Sequence, residues 1–460
     1  MTEPTRPAVT SPVFSIENRL DSRIAPVPVQ ESQRTTSIDT LRGVAVLGIL
    51  AMNIVVYALP SASYTTTHNP AVNQFAGDFE GGNAIAWWIN HLFFDQKMMS
   101  IFSMLFGAGV VLLDQRHAAE QETLHGSFAD RYYLRLSALF VIGMVHAYGI
   151  WFGDILVAYA LCGLVLYPAR KLQAKHLMVI GLVVFSVAIV VTSGLGAMIT
   201  MMQSGSEEAQ KAIAAGATPT EFQQEMQTAW EGAKNDISPS DMKVMEEVEA
   251  RRGGWWGNFK ANAVQTFFFQ VGLFFMWTLW RSLGLMLLGM GVAKIGFFAA
   301  KWSMGSYAKL AIAGYVFGLS LIALGATQLI ARHGDVGYTF GIGAQFNYVG
   351  SLAVALAHAS VVMCICRSGI WGAVRNRLAS VGRMAFSNYL SQSLICTFIF
   401  FGFGLGYFGK FQRSELVYFV VGVWVLQLIW SPIWLRYFRF GPAEWVWRSF
   451  TYWSVQPMRR

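Results

Sequence analysis

The sequence predicts an all-α fold, a polytopic membrane bundle of about ten transmembrane helices with both termini in the cytoplasm. Composition is the first reason: 54% of the 460 residues are hydrophobic and 13% are charged, too few charges to clothe water-soluble domains. The second is a series of apolar runs near 40–60, 97–114, 132–152, 154–169, 177–202, 267–294, 308–331, 346–366, 384–407 and 415–436. A bilayer core about 30 Å thick takes about 20 such residues per helix. The third is the placement of positive charge. With ten spans, 23 of the 34 Lys and Arg residues fall on the face that holds both termini and 10 on the other, which makes the terminal face cytoplasmic. An odd number of spans would scramble that asymmetry. The net charge of +8 therefore follows topology, and no basic stripe with interleaved aromatics marks a nucleic-acid partner.

Residues 1–36, rich in Pro, Ser, Thr and Arg and without an apolar period, read as a disordered cytoplasmic tail. Residues 37–203 hold the first five spans. The first opens on Ser37-Ile-Asp39-Thr-Leu-Arg42-Gly43 and runs past Asn53. Asp39 and Arg42 are three apart and share a helix face. A charged pair entering lipid marks either a site or an interfacial arrangement in which Arg42 snorkels and Asp39 helps cap the helix. Residues 83–94, topped by Trp87 and Trp88, are too short to span and read as an amphipathic helix on the outer surface. They feed Asp95-Gln96-Lys97 into the second span, with Lys97 expected to snorkel from its short end. The spans at 132–152 and 154–169 meet at a tight outer turn, Gly149 to Gly153, which carries His146 and Asp154 to the extracytoplasmic side. A carboxylate that orients an imidazole is a general-base arrangement; a lone intramembrane His otherwise serves as a hydrogen-bonding residue between helices.

Residues 204–262 form an acidic, amphipathic extracytoplasmic insert with helix-like stretches near 206–215, 219–233 and 239–251, a solvated cap over the bundle. Trp255, Trp256 and Lys260 mark the return to the interface. Residues 263–460 hold the second five spans, of which 263–300 is long enough to be tilted or kinked. Arg281 must face protein or a cavity, where it holds an anionic group or pairs with Asp39, Asp95 or Asp154. His358 is open to a structural or a functional reading. Asn388, Ser391 and Gln392 lie within a turn of one another and line a cavity or a helix interface. Gly107, Gly109, Gly284, Gly289, Gly291, Gly402, Gly404 and Gly406 supply small residues for close helix approach. Cys162, Cys364, Cys366 and Cys396 sit in apolar spans as packing residues, without the spacing of a zinc or redox site, so no metal is expected. Walker, Rossmann, GxSxG and HExxH patterns are missing, and no internal repeat suggests a transporter built from duplicated halves.

These residues resemble the bacterial YeiB-type family of integral membrane proteins. The likeness runs nearly end to end: Asp39-x-x-Arg42-Gly43, Met52-Asn53, Asn69-Pro70, Lys97 followed by Phe102-Ser-Met-Leu-Phe-Gly-Ala-Gly109, His146 with Gly153-Asp154-Ile-Leu, Gly382-Arg383-Met-Ala with Asn388-Tyr389, Trp434-Leu-Arg-Tyr-Phe438 and Gly441-Pro-Ala-Glu-Trp445. The first span alone is similar to the opening of transmembrane acyltransferases, the lysosomal heparan glucosaminide acetyltransferase and the sugar O-acyltransferases of bacterial envelopes. That similarity implies a multi-pass protein of the bacterial inner (plasma) membrane with no tightly bound cofactor. It also implies acyl-CoA as cytoplasmic donor and a small-molecule or envelope glycan or lipid acceptor on the far side. In the O-acyltransferases an Arg is followed eleven residues later by a His. Here that position is Asn53, so the base must come from elsewhere. His146 oriented by Asp154 is the choice, with His68 and His358 in reserve. Asp39, Arg42, Asn53, Lys97, Arg281, Arg383 and Asn388 are the candidates for holding donor or substrate. The alternative is a transporter or exporter of a small metabolite that uses the same charges as a path.

Overall fold

A computed structural model describes residues 36–119, 128–237, 239–333 and 335–460. Apart from Thr36, the predicted tail lies outside the described residues. What is described is helices and turns, with one isolated antiparallel bridge between Phe438 and Arg459.

In chain order the helices are α1 (Thr36–Ala58), α2 (Pro70–Ala76), α3 (Gly81–Phe93), α4 (Lys97–Ala119), α5 (Phe128–Gly149), α6 (Leu156–Ala169) and α7 (Ala174–Ala214). The insert adds α8 (Glu221–Ile237) and α9 (Asp241–Arg252). Then come α10 (Trp255–Phe267), a π-helical stretch at Phe268–Thr278, α11 (Leu279–Lys294), α12 (Met304–Ala331), α13 (Val336–Tyr338) and a second π-helical stretch at Thr339–Gly343. The chain ends in α14 (Ala344–Ser368), α15 (Gly372–Arg383), α16 (Ala385–Phe400), α17 (Leu416–Tyr437) and α18 (Pro442–Tyr452).

Each of the ten predicted runs contains a helix. Seven helical stretches among the described residues are long and apolar enough to cross a bilayer: 36–58, 81–116, 174–214, 255–294, 304–331, 336–368 and 416–437. The other three fall short for separate reasons. α5 carries Asp130, Arg131 and Arg135 in its first turns, while α6 has 14 residues and α16 has 16. At 1.5 Å per residue these two reach about 21–24 Å, less than the hydrocarbon thickness. Large apolar side chains such as Val141, Val145, Val183, Val190, Val316 and Tyr418 remain exposed on the outward faces, as lipid-facing positions require.

Small residues set how closely the helices pack. A Cβ on Gly43 of α1 would lie 2.0 Å from the Leu378 carbonyl oxygen of α15, and one on Gly382 would lie 1.9 Å from that of Asp39. The α1 and α15 backbones are therefore in contact there, and only glycine permits it. The same holds where Gly107 of α4 meets Met286 and Gly289 of α11 meets Met104. Gly402, Gly404 and Gly406 act otherwise than expected. The helix predicted over 384–407 stops at Phe400, and these glycines lie in a chain of turns in which Gly402 N donates to Arg251 O at 2.8 Å. Gly402 docks the insert, while Gly404 and Gly406 donate back to Phe401 O and turn the chain.

The bundle thus has two ends. One carries the starts of α1, α5 and α16 and the C-terminal helix α18. The other is capped by the insert, whose first stretch continues α7 without a break. Glu247 accepts from Ser61 N and Oγ, Asn69 donates to Pro239 O, and Arg252 Nε donates to Phe408 O at 2.8 Å. Arg251 is buried with its guanidinium 4.8 Å from the Phe401 ring centroid, and burial pulls its pKa down to about 10.

Candidate functional site

At the end away from the cap, a cavity of about 400 Å³ opens between α1, α4, α5, α15, α16 and α18. Its construction follows from helix ends. The glycine contact of α1 with α15 brings Asp39, Arg42 and Arg383 to one wall. Arg116 comes from the last turns of α4, Arg131 and Arg135 from successive turns of α5, and Arg439 and Arg448 from the C-terminal segment. Seven arginines among the described residues thus face one space that holds two carboxylates, Asp39 and Glu444. Arg42 bonds Asp39 at 3.0 Å with its side chain 30% exposed, so the pair predicted from the spacing forms and Arg42 keeps donors for a ligand. Glu444 of α18 accepts from Phe386 N at 2.8 Å, Ser387 N at 3.2 Å and Ser387 Oγ, capping the start of α16. Burial raises its carboxyl above the ordinary glutamate value. Trp447 anchors the same helix by donating to Arg135 O at 2.9 Å under the Arg135 guanidinium.

Deeper in, the lining turns apolar and aromatic: Phe102, Phe106, Leu139, Leu156, Tyr159 and Tyr389. Tyr159 is held by Ser103 at 2.6 Å. Tyr389 accepts from Ile155 N at 3.3 Å, and its ring centroid lies 5.4 Å from that of His146. Behind this floor is the predicted pair. His146 Nδ1 and Asp154 Oδ2 are 2.7 Å apart, and both side chains are 1% exposed. Asp154 Oδ1 accepts from Val157 N at 2.9 Å, so one carboxylate both caps α6 and fixes the imidazole. His146 Nε2 is buried and has no hydrogen-bond partner. From the capped side, Asn262 and Thr266 of α10 donate to Ala147 O and hold the end of α5.

The remaining candidates sit elsewhere. Lys97 does not snorkel: it is fully buried, donating to His91 O and to Asn347 Oδ1 at 2.6 Å. Arg281 pairs with none of Asp39, Asp95 and Asp154. It is fully buried, with Nη2 donating to Ser100 Oγ and Ser351 Oγ, both at 2.8 Å. Asn388 donates to Val381 O and Ser431 Oγ and accepts from Trp430, so its face is a helix interface rather than a ligand surface. His358 is satisfied by Tyr315 and Phe93 O. His68 sits in the loop before α2 beside Thr67. Neither histidine lines the cavity, and nor does Asn53. Arg116, Arg131, Arg135, Arg439 and Arg448 enter the sequence reading only as topology signals, and Tyr389 and Glu444 do not enter it as site residues at all. The signal that could have found them lies in Asn388-Tyr389 and Gly441-Pro-Ala-Glu444, motifs separated in the chain and joined in space. Among the described residues no three His, Cys, Asp or Glu side chains gather as a metal site would need.

The comparisons with known proteins concern relatives without an assigned activity. A family profile described as "Protein of unknown function (DUF418)" matches residues 292–454. The uncharacterized protein YxaH of Bacillus subtilis (strain 168) is 31% identical over 439 residues, covering 94% of this chain and 98% of its own. The uncharacterized protein YeiB of Escherichia coli (strain K12) is 29% identical over 439 residues, covering 92% and 98%. An uncharacterized 39.9 kDa protein of Bacillus acidopullulyticus is 22% identical over 431 residues, covering 92% and 96%. No solved structure matches. With relatives aligned from end to end on a helical membrane bundle, the chain belongs to the YeiB-type family of membrane proteins of unknown function.

Proposed function

We propose that this protein is an acyltransferase of the bacterial inner membrane, taking an acyl group from acyl-CoA on the cytoplasmic side and passing it to a small-molecule or envelope glycan or lipid acceptor. The observation that carries the reading is the cavity: a rim of arginines over an apolar, aromatic floor, with the His146–Asp154 pair directly behind Tyr389. Arginine forks suit phosphate oxygens, and the apolar depth suits an acyl chain. The arginine-bearing end is also the face that the positive-inside rule makes cytoplasmic, where acyl-CoA resides.

In this reading Arg42 and Arg383 hold the donor's phosphates. His146 Nε2, the atom left without a partner, removes the proton from the acceptor's hydroxyl or amine as that atom attacks the thioester carbonyl. The carbon–sulfur bond breaks, the thiolate leaves as coenzyme A, and the proton on His146 passes to it. Asp154 keeps Nδ1 protonated and steadies the imidazolium. Because His146 is sealed from the cavity, the step requires the Tyr389 ring or the capped end to shift. Lys97 and Arg281 take no part in donor binding here.

Calorimetry of acetyl-CoA and longer acyl-CoAs with the purified protein in detergent tests the donor half. Saturable binding lost in Arg42→Ala supports it, and no binding to a folded, monodisperse sample overturns it. Transfer that survives His146→Ala would remove the base assignment. The rival reading, a transporter of a small metabolite, draws support from two interrupted apolar stretches, α3–α4 broken at Asp95–Gln96 and α13–α14 kinked at Gly341. It expects movement of an unmodified compound in proteoliposomes and no acyl-CoA binding.

A further inference from the structure

We infer that the protein holds a second ligand site, for one small monovalent anion, where α3, α4, α11 and α14 meet around Arg281. The site lies apart from the arginine cavity and does not rest on the acyl-transfer reading.

Three backbone irregularities converge there. The α3–α4 break places Gln96 at a φ of 63°, a left-handed conformation unusual outside glycine. The π-helical stretch 268–278 immediately precedes Arg281. The kink at Gly341, with φ −92° and ψ −111°, immediately precedes the helix bearing Asn347 and Ser351. Interrupted helices in membranes recur where polar groups are gathered for a solute.

The gathered groups are short of hydrogen-bond partners. Lys97 and Arg281 are both fully buried, and among the described residues no carboxylate lies within ion-pair distance of either. The acid of this cluster, Asp95, is occupied by Tyr64 and by Asn347 Nδ2 at 2.7 Å, with His91 at 3.5 Å. Lys97 is bonded to neutral acceptors, and Arg281 Nη2 donates to Gln96 O, Ser100 Oγ and Ser351 Oγ, with the Tyr348 hydroxyl also close to the guanidinium. Its Nε and Nη1 are buried without partners, as is Gln96 Oε1. The rings of Tyr348, Trp277 and Phe185, with centroids 4.7, 5.2 and 5.6 Å from the guanidinium carbon, shield it from lipid but cannot supply a countercharge. A guanidinium with two donors buried and unpaired in a low-dielectric interior is costly. One monovalent anion on the two idle donors, a halide or a small carboxylate, satisfies the guanidinium. A separate cavity of about 20 Å³, bounded by Tyr64, His91, Asp95 and Arg413 and lined by neither Lys97 nor Arg281, has room for one water-sized species.

The test is equilibrium binding of radiolabelled chloride, and separately of radiolabelled formate, to the full-length protein in detergent. Gluconate keeps the ionic strength constant. The measurement is repeated in an Arg42→Gln/Arg383→Gln background, so that binding in the arginine cavity is told apart whether or not that cavity takes acyl-CoA. About one anion per chain is expected, retained in that background and weakened roughly tenfold or more in Arg281→Gln. If Arg281→Gln does not fold, Arg281→Lys, which keeps the charge but not the two donors, is expected to show the same loss. Preference for chloride or for formate identifies the source of the anion. No saturable binding of either to the folded wild-type protein, or binding that disappears with Arg42 and Arg383 instead, overturns the inference.

Discussion

The arginines around the cavity stand at helix ends with open space between them; Lys97 and Arg281 are enclosed in mid-bundle among hydroxyls, amides and aromatic rings. Both groups consist of cations on apolar helices, yet their surroundings lead to opposite expectations. A cation that borders open space, as Arg42 does at 30% exposure, keeps part of its hydration until a ligand arrives, so it is cheap to remove and matters for binding. A cation sealed in the bundle has already lost its hydration, so the groups that hold it matter for folding.

The greatest loss is expected in the enclosed group. Asp95→Ala removes the one acid beside Lys97 and Arg281 and is expected to cost about 3–5 kcal/mol, seen as a large fall in thermal stability in detergent. Adding Lys97→Met should restore part of that loss; a double variant as unstable as the sum of its parts would show that Asp95 and Lys97 do not share a network. Next comes the wall of the arginine cavity. Gly382→Leu pushes a side chain into the Asp39 carbonyl and should cost about 1–3 kcal/mol, while spreading α1 from α15 and weakening acyl-CoA binding more than stability alone explains.

Arg42→Gln probes the contrast from the other side. Stability should change by less than about 1 kcal/mol, since its bond to Asp39 is partly exposed, while affinity for acyl-CoA falls roughly tenfold. A stability loss as large as that of Asp95→Ala would erase the distinction. The mildest change concerns Glu444. Because burial raises its carboxyl, the folded protein keeps that proton to a higher pH than the unfolded chain, and stability falls as pH rises from the unfolded value through the folded one. Glu444→Gln should flatten that decline in melting temperature over the mildly acidic range.

Much of the bundle is legible in residue order. The Asp39–Arg42 pair follows from helical spacing, and the His146–Asp154 bond from two helices joined by a turn of a few residues. Both are local, so the order of residues nearly dictates them. The ends of apolar runs are less secure: α16 stops at Phe400, and Gly402 just beyond it bonds the insert at Arg251, a partner far away in sequence. Lys97 shows the same limit. Its place at the start of an apolar run suggests snorkelling, and only the approach of Asn347 from α14 gives its ammonium a buried acceptor.

Helical membrane character, the positions of the apolar runs and the short-range pairs are written into contiguous residues, because hydrophobic length and helical spacing are local properties. Which cations share a cavity and which are sealed away is settled only when the helices pack. Arg42, Arg135, Arg383 and Arg448 meet because glycines at positions 43 and 382 let two backbones touch and α18 folds back onto α5. Lys97 and Arg281 are enclosed because α4, α11 and α14 pack together around Ser100, Asn347 and Ser351. Contacts between residues hundreds of positions apart depend on how faces pack, and a single sequence carries no term for that distance.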